Sequence, residues 1–161
     1  YVDAKEIQID YDRTDDEELV SFDSATKSYP LTKFLKTNHY LLKACINGVE
    51  GKFILDSGAS SSCICLSLEN KFKIDSKENK IKASSATSNM EDTRLSKNNA
   101  IKIRKWRSKI SLVSIDMTHI NKVLNEKETE SVDGIIGADV LKKSKAVIDY
   151  ESNKLYLKIK I

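Results

Sequence analysis

Short apolar segments recur along the whole chain, and their length and spacing constrain the fold more than any other feature of the sequence. Each runs for about four to eight residues and ends in polar or turn-forming residues, as β-strands do. The segments that read as strands are 5–11, 39–46, 52–55, 63–66, 80–83, 93–95, 100–103, 109–115, 146–150 and 155–159. Only 138–143 has the composition of a short helix, and 121–129 that of a loop with a helical turn. This pattern predicts an all-β barrel or sandwich.

The composition is that of a chain able to bury a core. Of the 161 residues, 40% are hydrophobic, with one proline and five glycines, which argues against a disordered or low-complexity chain. The length fits one domain, or one domain with an additional segment. We therefore expect an acidic N-terminal extension with strand character at 1–37, followed by the folded domain at 38–161.

Charge is distributed unevenly along the sequence. The formal net charge is +3, but residues 1–24 hold nine acidic and two basic side chains, a local charge of −7, which leaves +10 for the rest. Such a segment is typical of a solvated extension, and the alternative is a segment that lies across a basic groove of its own chain in the manner of a pro-segment. Lysines are scattered through the basic part, without a strip that interleaves basic and aromatic residues. We therefore expect no nucleic-acid partner.

The three cysteines, Cys45, Cys63 and Cys65, are an odd number, which is poor evidence for a disulfide framework. We expect them to be small apolar core residues, because no paired metal ligands and no helix start lie beside them to activate a thiol. A cysteine protease that uses His39 or His119 is correspondingly disfavoured.

No apolar run approaches the ~20 residues of a membrane-spanning helix, so we expect no membrane partner. No basic and apolar leader opens the sequence, although it begins at Tyr1 and not at Met, so a leader removed by processing stays an alternative. The localisation is therefore open. The cysteines favour the cytoplasm, and the periplasm or secretion is the alternative if a leader was removed.

A predicted hairpin leads to the most informative acidic residue. Asn47-Gly48 follows the strand at 39–46, and this dipeptide is the strongest short-range signal for a two-residue hairpin turn. The returning strand, 52–55, ends directly at Asp56, which is followed by Ser57 and Gly58. The hairpin thus places a carboxylate at the end of a buried strand, with a hydroxyl and a flexible glycine beside it.

A carboxylate held in this way can polarise a water molecule, but one carboxylate cannot act as base and acid at the same instant. Two carboxyl groups that share a proton can, because like charges held about 3 Å apart cannot both ionise. The segment therefore predicts paired-acid chemistry and requires a second acid.

This segment and a later one resemble a known family. Residues 54–60, Ile-Leu-Asp-Ser-Gly-Ala-Ser, are similar to the Asp-Thr/Ser-Gly-Ala/Ser signature of the retroviral-type, single-domain (retropepsin-like) aspartic proteases of clan AA. Residues 133–141, about 80 residues later, resemble the apolar-apolar-Gly segment and short helix of that family. Residues 146–150 and 155–157 resemble the closing strands of its bacterial members. The resemblance covers about 38–158 and implies a mainly-β retropepsin-like acid-protease barrel with one short C-terminal helix.

The resemblance also implies roles for individual residues. Asp56 would be catalytic, and its loop would be supported by Ser57, Gly58, Ala59, Ile135, Ile136 and Gly137. A substrate-binding flap would be formed by Ser84, Ser85, Ala86, Thr87, Ser88 and Asn89. No metal or organic cofactor is implied. Two features depart from the family pattern: serine stands at position 57, where threonine is commoner, and the flap contains no glycine.

Only one Asp-Ser/Thr-Gly tripeptide occurs in the chain, so the second acid must come from elsewhere. The simplest solution, which the resemblance also implies, is a C2 homodimer in which Asp56 meets its symmetry mate. The expected function is then an aspartic endopeptidase that acts on an extended peptide or protein. The alternative is a catalytically weak or inactive module of the same fold that binds peptides or dimerises.

Overall fold

The structure is a computed structural model that describes residues 25–33, 39–78, 83–85, 88–90, 93–126 and 131–159. The strand predicted at 5–11 lies outside these residues, as do 80–82 of another predicted strand and the acidic residues before Ala25. Of the N-terminal region predicted at 1–37, the structure describes 25–33, and the division of the chain at 37 stays a prediction.

Along the described residues, strands alternate with short turns, and two helices interrupt them. The strands in chain order are β1 (Thr26–Pro30), β2 (Thr32–Lys33), β3 (Tyr40–Ile46), β4 (Val49–Leu55), β5 (Cys63–Cys65), β6 (Lys77–Glu78), β7 (Ala83–Ser85), β8 (Ser88–Met90), β9 (Arg94–Ile103), β10 (Trp106–Ile115), β11 (Gly134–Ile136), β12 (Val147–Asp149) and β13 (Lys154–Lys158). The helices are α1 (Thr118–Glu126) and α2 (Ala138–Lys143), and Leu66–Leu68 form a 3-10 turn.

The largest sheet closes into a barrel. Its strand order is β2-β3-β4-β11-β5-β10-β9-β6, and β9 also pairs with β3 through Cys45 opposite Lys102 and Ile46 opposite Ile101. The ring β3-β4-β11-β5-β10-β9 therefore has no free edge, which protects its backbone groups from pairing with other chains. The prediction of a mainly-β barrel is confirmed.

The Asn47-Gly48 hairpin is also confirmed. Residues 40–46 pair antiparallel with 49–55, and the two turn residues have φ angles of 49° and 85°, as a primed two-residue turn requires. The Asn47 side chain fastens the turn to the barrel, because its amide donates to the carbonyl oxygen of Phe72 at 3.0 Å and its oxygen accepts from Ala100 N–H at 2.9 Å.

The barrel interior holds the main apolar core. Its fully buried members come from most strands of the ring and from α2, and the largest include Ile46, Phe53, Phe72, Ile101, Ile103, Leu112, Ile136 and Leu141. Trp106 is 4% exposed and belongs to this core, opposite Ile103 on β9. It is therefore a packing residue, and its position excludes a role as an exposed peptide-binding aromatic.

A second sheet joins the two ends of the described chain. Its order is β1-β13-β12, with β1 and β12 both antiparallel to β13. Tyr29, Leu155 and Leu157 from this sheet are buried in the barrel core. Residues 26–30, within the region predicted to precede the domain, thus pack as part of the fold.

Helix α1 is more regular than the helical turn predicted within 121–129. Its first turn is held by Asp116, whose Oδ1 accepts from Thr118 N–H at 2.9 Å. Asn121 exchanges two hydrogen bonds with the backbone of Val132, and the buried Leu124 attaches the helix to the sheet. Within the part of the chain that the structure describes, no helix is long and apolar enough to cross a membrane.

Candidate active site

Asp56 lies at the end of β4, where the strand leaves the sheet. Its N–H donates to the carbonyl oxygen of Ile136 at 3.0 Å, and its own carbonyl oxygen accepts from Ala59 N–H at 3.2 Å. Its Oδ1 accepts from Gly58 N–H at 2.8 Å, which orients the carboxylate, and the side chain is half-buried. The predicted acid is thus held by its own loop and remains accessible to solvent.

Strand β11 holds the two halves of this site together. It lies between β4 and β5, parallel to β4 with Ile135 opposite Ile54, and antiparallel to β5 with Ile135 opposite Cys63. The contact is so close at Gly134 that a Cβ there would lie 2.2 Å from the carbonyl oxygen of Cys63. The pairing of β11 with β4 therefore brings the segment at 133–141 into direct contact with the segment at 54–60.

Gly137 allows the loop after Asp56 to pack on the beginning of α2. A Cβ at Gly137 would lie 2.6 Å from the carbonyl oxygen of Ala59, and the neighbouring Ala138 N–H donates to that same oxygen at 2.7 Å. Ile136 is fully buried and Ile135 is partly exposed. The predicted support residues Ala59, Ile136 and Gly137 thus contact the Asp56 loop or its backbone.

Two further residues complete this contact, and the sequence did not single them out for it. Ser62 is fully buried; its hydroxyl accepts from Gly137 N–H at 2.9 Å and donates to Asp139 Oδ1 at 2.7 Å. The N-cap residue of α2 is Gly137, and Asp139 in the first turn of the helix accepts from the Ser62 hydroxyl. The only signal for Ser62 in the sequence was its position as the last residue of the small polar run 59–62.

We expect Ser62→Ala to lower the free energy of unfolding by about 1–3 kcal/mol, because it leaves the Gly137 N–H and the Asp139 carboxylate without their buried partner. The matched control is Ser61→Ala, in the same loop but exposed, which should leave the free energy of unfolding within about 0.5 kcal/mol of the parent. Urea denaturation measures both variants. Equal stability of the two would show that the Ser62 hydroxyl does not hold the loop.

Asp133 fixes the chain just before β11. Its N–H donates to the Lys52 carbonyl oxygen and its Oδ2 accepts from Lys52 N–H, both at 2.8 Å. Its Oδ1 contacts Lys71 Nζ at 3.1 Å, and its carbonyl oxygen accepts from Cys65 N–H. Both carboxylate oxygens of Asp133 are thus engaged by groups of the barrel wall. Asp133 is therefore a structural acid and not the missing second carboxylate.

The cysteines do not form a nucleophilic centre. Cys63 and Cys65 are buried on β5, and Cys45 is partly buried, with all three thiols free. Burial, the largest cause, together with the nearby carboxylates of Asp139 and Asp56 raises the pKa of the Cys63 thiol to about 12, although the hydrogen bond with the Ile135 backbone lowers it. A thiol with this pKa stays protonated at neutral pH, which confirms the expectation of a core residue and excludes Cys63 as a thiolate nucleophile.

A second buried apolar cluster includes Ile54, two residues before Asp56 on the chain. Its buried part consists of Ile54, Cys63, Cys65, Ile115, Met117, Leu124 and Val132. Partly buried Leu41, Val113, Ile120 and Ile135 pack against it. Ile54 immediately precedes the strand end that carries Asp56, so apolar and acidic groups share this end of the barrel.

The remaining predicted site residues make fewer contacts with the Asp56 loop or lie outside the described residues. Within the described residues, the Ser57 hydroxyl makes no hydrogen bond, and Gly58 is exposed. Residues 83–85 and 88–90 form a separate antiparallel hairpin, with Ser84 opposite Asn89 and Ser85 opposite Ser88. Ala86 and Thr87, at the predicted tip of the flap, lie outside the described residues.

The fold is similar to that of solved retropepsin-like proteases. A retropepsin-like aspartic protease from Rickettsia conorii superimposes with a TM-score of 0.60 at 19% identity, over 83% of this chain and 92% of that chain. The EIAV protease complexed with the inhibitor HBY-793 superimposes with a TM-score of 0.55 at 17% identity, over 73% of this chain and 99% of that one. The predicted retropepsin-like fold is confirmed by these similarities.

The sequence is also similar to short segments of curated proteins, and these segments are only a few per cent of the length of those proteins. A DNA-directed RNA polymerase subunit beta from Christiangramia forsetii is 57% identical over 47 residues, which are 29% of this chain and 4% of that protein. One from Flavobacterium johnsoniae is 63% identical over 38 residues, 24% of this chain and 3% of that protein. Such short shared segments do not transfer the activity of a whole polymerase subunit.

A protein-family model spans most of the barrel, the segment at 54–60 and the segment that begins at 133 as far as Val140. Its match covers residues 42–140, more than half of the chain, and includes Asp56 and the beginning of α2. The chain therefore belongs to the aspartyl protease family.

Proposed function

We propose that the protein is an aspartic endopeptidase that acts as a C2 homodimer, with a water molecule activated between Asp56 and its symmetry mate. The observation that carries the proposal is the placement of Asp56: a half-buried carboxylate at a strand end, oriented by Gly58 N–H and supported by β11. Family membership supports peptide hydrolysis as the reaction class. The second acid is attributed to another copy of the chain, since the acids near this loop have other partners.

The proposed reaction uses one proton shared between the two carboxyl groups. The ionised carboxylate removes a proton from water, whose oxygen forms a bond to the carbonyl carbon of the peptide, while the protonated partner gives its proton to the carbonyl oxygen. The tetrahedral intermediate then collapses as the C–N bond breaks. The amine leaving group takes a proton from one carboxyl group while a hydroxyl of the intermediate gives its proton to the other, so that the product is a carboxylic acid and the pair again shares a single proton.

The other predicted residues receive roles that fit this arrangement. Ser57, whose hydroxyl has no partner among the described residues, would bond to the paired loop of the second copy. The main chain of the hairpin at 83–90 would pair with an extended peptide as an added strand. The partly exposed Ile135 and Val113 would contact apolar side chains of that peptide. The substrate class is therefore an extended peptide with apolar residues near the cleaved bond.

We expect a monomer–dimer equilibrium, with activity confined to the dimer. Sedimentation velocity over a dilution series measures the dimer fraction, and a fluorogenic peptide library measures the rate. Where the dimer is largely dissociated, a tenfold dilution should lower the specific activity about tenfold by mass action. A chain that is monomeric throughout and keeps constant specific activity would contradict the homodimer mechanism.

The second candidate is a peptide-binding or dimerisation module with little turnover, which the serine at position 57 and the glycine-free hairpin favour. Incubation with a mixed peptide library, with and without a statine-type transition-state mimic, separates the two functions. New peptide termini that the mimic suppresses support the endopeptidase. Peptide retention without new termini supports the module.

A further inference from the structure

The hairpin of β9 and β10 carries an excess of positive charge that the proposed reaction does not use. Residues 93–115 contain seven basic side chains and no acidic one. Arg94 pairs with Glu69 at 3.2 Å, and the other six are exposed: Lys97, Lys102, Arg104, Lys105, Arg107 and Lys109. None of these six makes an ion pair with another residue that the structure describes.

Three of the six lie close together next to the end of α2. Arg107 is directly opposite Lys102 across the two strands, and Lys109 follows two residues later on the same face of β10. Lys143, in the last turn of α2, donates from Nζ to the Lys109 carbonyl oxygen at 2.5 Å. We call Lys102, Arg107, Lys109 and Lys143 the basic face. Like charges opposite one another destabilise a sheet, so this face favours a negatively charged partner.

The nearest acid by strand register does not neutralise the basic face. Glu50 lies opposite Cys45, which lies opposite Lys102 on the other side. Its carboxylate is 3.8 Å from Lys43 Nζ and two-thirds exposed, so it is shared with a lysine of its own hairpin. The positive charge of the basic face therefore remains available.

The acidic N-terminal segment joins the described structure beside this face. Ala25, the first described residue, accepts a hydrogen bond from Ile159 N–H at 2.8 Å, and the neighbouring Lys158 N–H donates to the Ser144 carbonyl oxygen at 2.9 Å. Ser144 directly follows Lys143 of the basic face. Five acids, Asp12, Asp15, Asp16, Glu17 and Glu18, precede Ala25 by 7 to 13 residues. An extended chain of that length reaches roughly 25–45 Å, enough to follow the β9–β10 hairpin along its length.

We propose that residues 1–24 dock on the basic face of their own chain. The charge of −7 in this segment matches a face with unpaired bases, and the covalent connection at Ala25 places the two at a high effective concentration. The inference concerns a surface outside the candidate active site and does not depend on the proposed reaction.

The basic face extends along one side of the barrel. Lys102 pairs with Cys45, which in turn pairs with Glu50 on β4. Glu50 lies six residues before Asp56, which follows the end of that strand. Six extended residues span about 20 Å, so Lys102 lies about that far from Asp56 along the strand, whereas Lys143 ends the helix α2 that begins against the Asp56 loop. The basic face therefore reaches from the strand position of Lys102 to the helix beside the Asp56 loop.

Carbodiimide cross-linking of the full chain tests the proposal, since it joins carboxylates to lysines only at contact distance. We expect links from residues 12–18 to Lys102, Lys109 and Lys143 to exceed links to the exposed Lys73, Lys77 and Lys122 by about fivefold or more, because tethering raises the local concentration. They should largely disappear in 1 M NaCl, where charges are screened beyond about 3 Å. Mixing isotope-labelled and unlabelled chains separates links within one chain from links between copies. Links spread evenly over all six lysines, or only between copies, would overturn the proposal.

A charge-reversed pair of variants provides the matched control. Arg107→Glu with Lys109→Glu should abolish the preferred links, and Lys73→Glu with Lys77→Glu, which changes the net charge equally, should preserve them. The competing occupant is a nucleic acid, probed with a 24-mer single-stranded oligonucleotide at 0.15 M salt. Binding of this probe to the full chain with release of the cross-links would assign the face to nucleic acid and overturn the docking. Absence of such binding, with the cross-links intact, supports it.

Discussion

Replacing Asp56 with asparagine should lower kcat/KM for peptide cleavage by about 10³-fold or more, because the variant loses both the base that activates water and the acid that protonates the carbonyl oxygen. Each dimer of the variant would lack both carboxyl groups. The amide of asparagine is close in size to the carboxyl group, and its oxygen can still accept from Gly58 N–H. The fold and the dimer should therefore persist.

The experiment needs a control that removes the same charge elsewhere. Asp75→Asn changes an exposed carboxylate remote in sequence from the candidate site and should keep the cleavage rate within about twofold. Sedimentation and thermal unfolding of Asp56→Asn check that the assembly and the fold are unchanged. Cleavage by Asp56→Asn at the parent rate would refute the assignment of Asp56 as the catalytic acid.

The local signals in the sequence predicted the parts of the site that depend on neighbouring residues. Asn47 and Gly48 tolerate the positive φ angles of a tight hairpin, so their position set the register that delivers Asp56 to the end of β4. In the structure, Ile135 lies opposite Ile54 on β4, and Gly137 lies close to the Ala59 carbonyl oxygen of the Asp56 loop. Both features follow from backbone chemistry that is visible within a few residues.

Contacts between distant parts of the chain were not predictable in the same way. The bond from Ser62 to Asp139 joins residues 77 positions apart, and a serine that ends a small polar loop is typical of many solvated turns. The pairing of β1 with β13 joins residues near opposite ends of the chain, and neither strand carries a signal that specifies its partner. Helix α1 was underestimated because 121–129 is polar, while its stabilising contacts involve Asp116 and Val132 outside that window.

Replacing Gly134 with alanine should destabilise the fold by about 3 kcal/mol or more, the upper range for forcing extra atoms into a packed interior. The added Cβ would lie 2.2 Å from the Cys63 carbonyl oxygen, 3.0 Å from Phe53 Cε1 and 3.1 Å from Ile64 Cα. Two of these three contacts are with backbone, which cannot rotate away as a side chain can. Urea denaturation, or the soluble yield if the variant does not fold, measures the effect.

Gly48→Ala separates this steric effect from the general cost of losing a glycine. Gly48 has a φ angle of 85°, and no atom lies within 4 Å of a Cβ built on it, so its replacement should cost only about 1 kcal/mol of conformational strain. A loss at Gly134 no larger than at Gly48 would contradict the close contact between β11 and β5.

The effect of Gly134→Ala should also extend to catalysis in any variant protein that folds. Relief of the clash requires β11 to move away from β5, and β11 carries the Ile136 carbonyl oxygen that binds Asp56 N–H. Truncation of Phe53 cannot restore the parent geometry, because the shortest contact is with the Cys63 backbone. Since an error of about 1 Å in the position of a catalytic group can cost 10²-fold in rate, the folded variant should cleave peptides much more slowly than Gly48→Ala. The close packing at Gly134 is therefore a requirement both of the barrel and of the position of its acid.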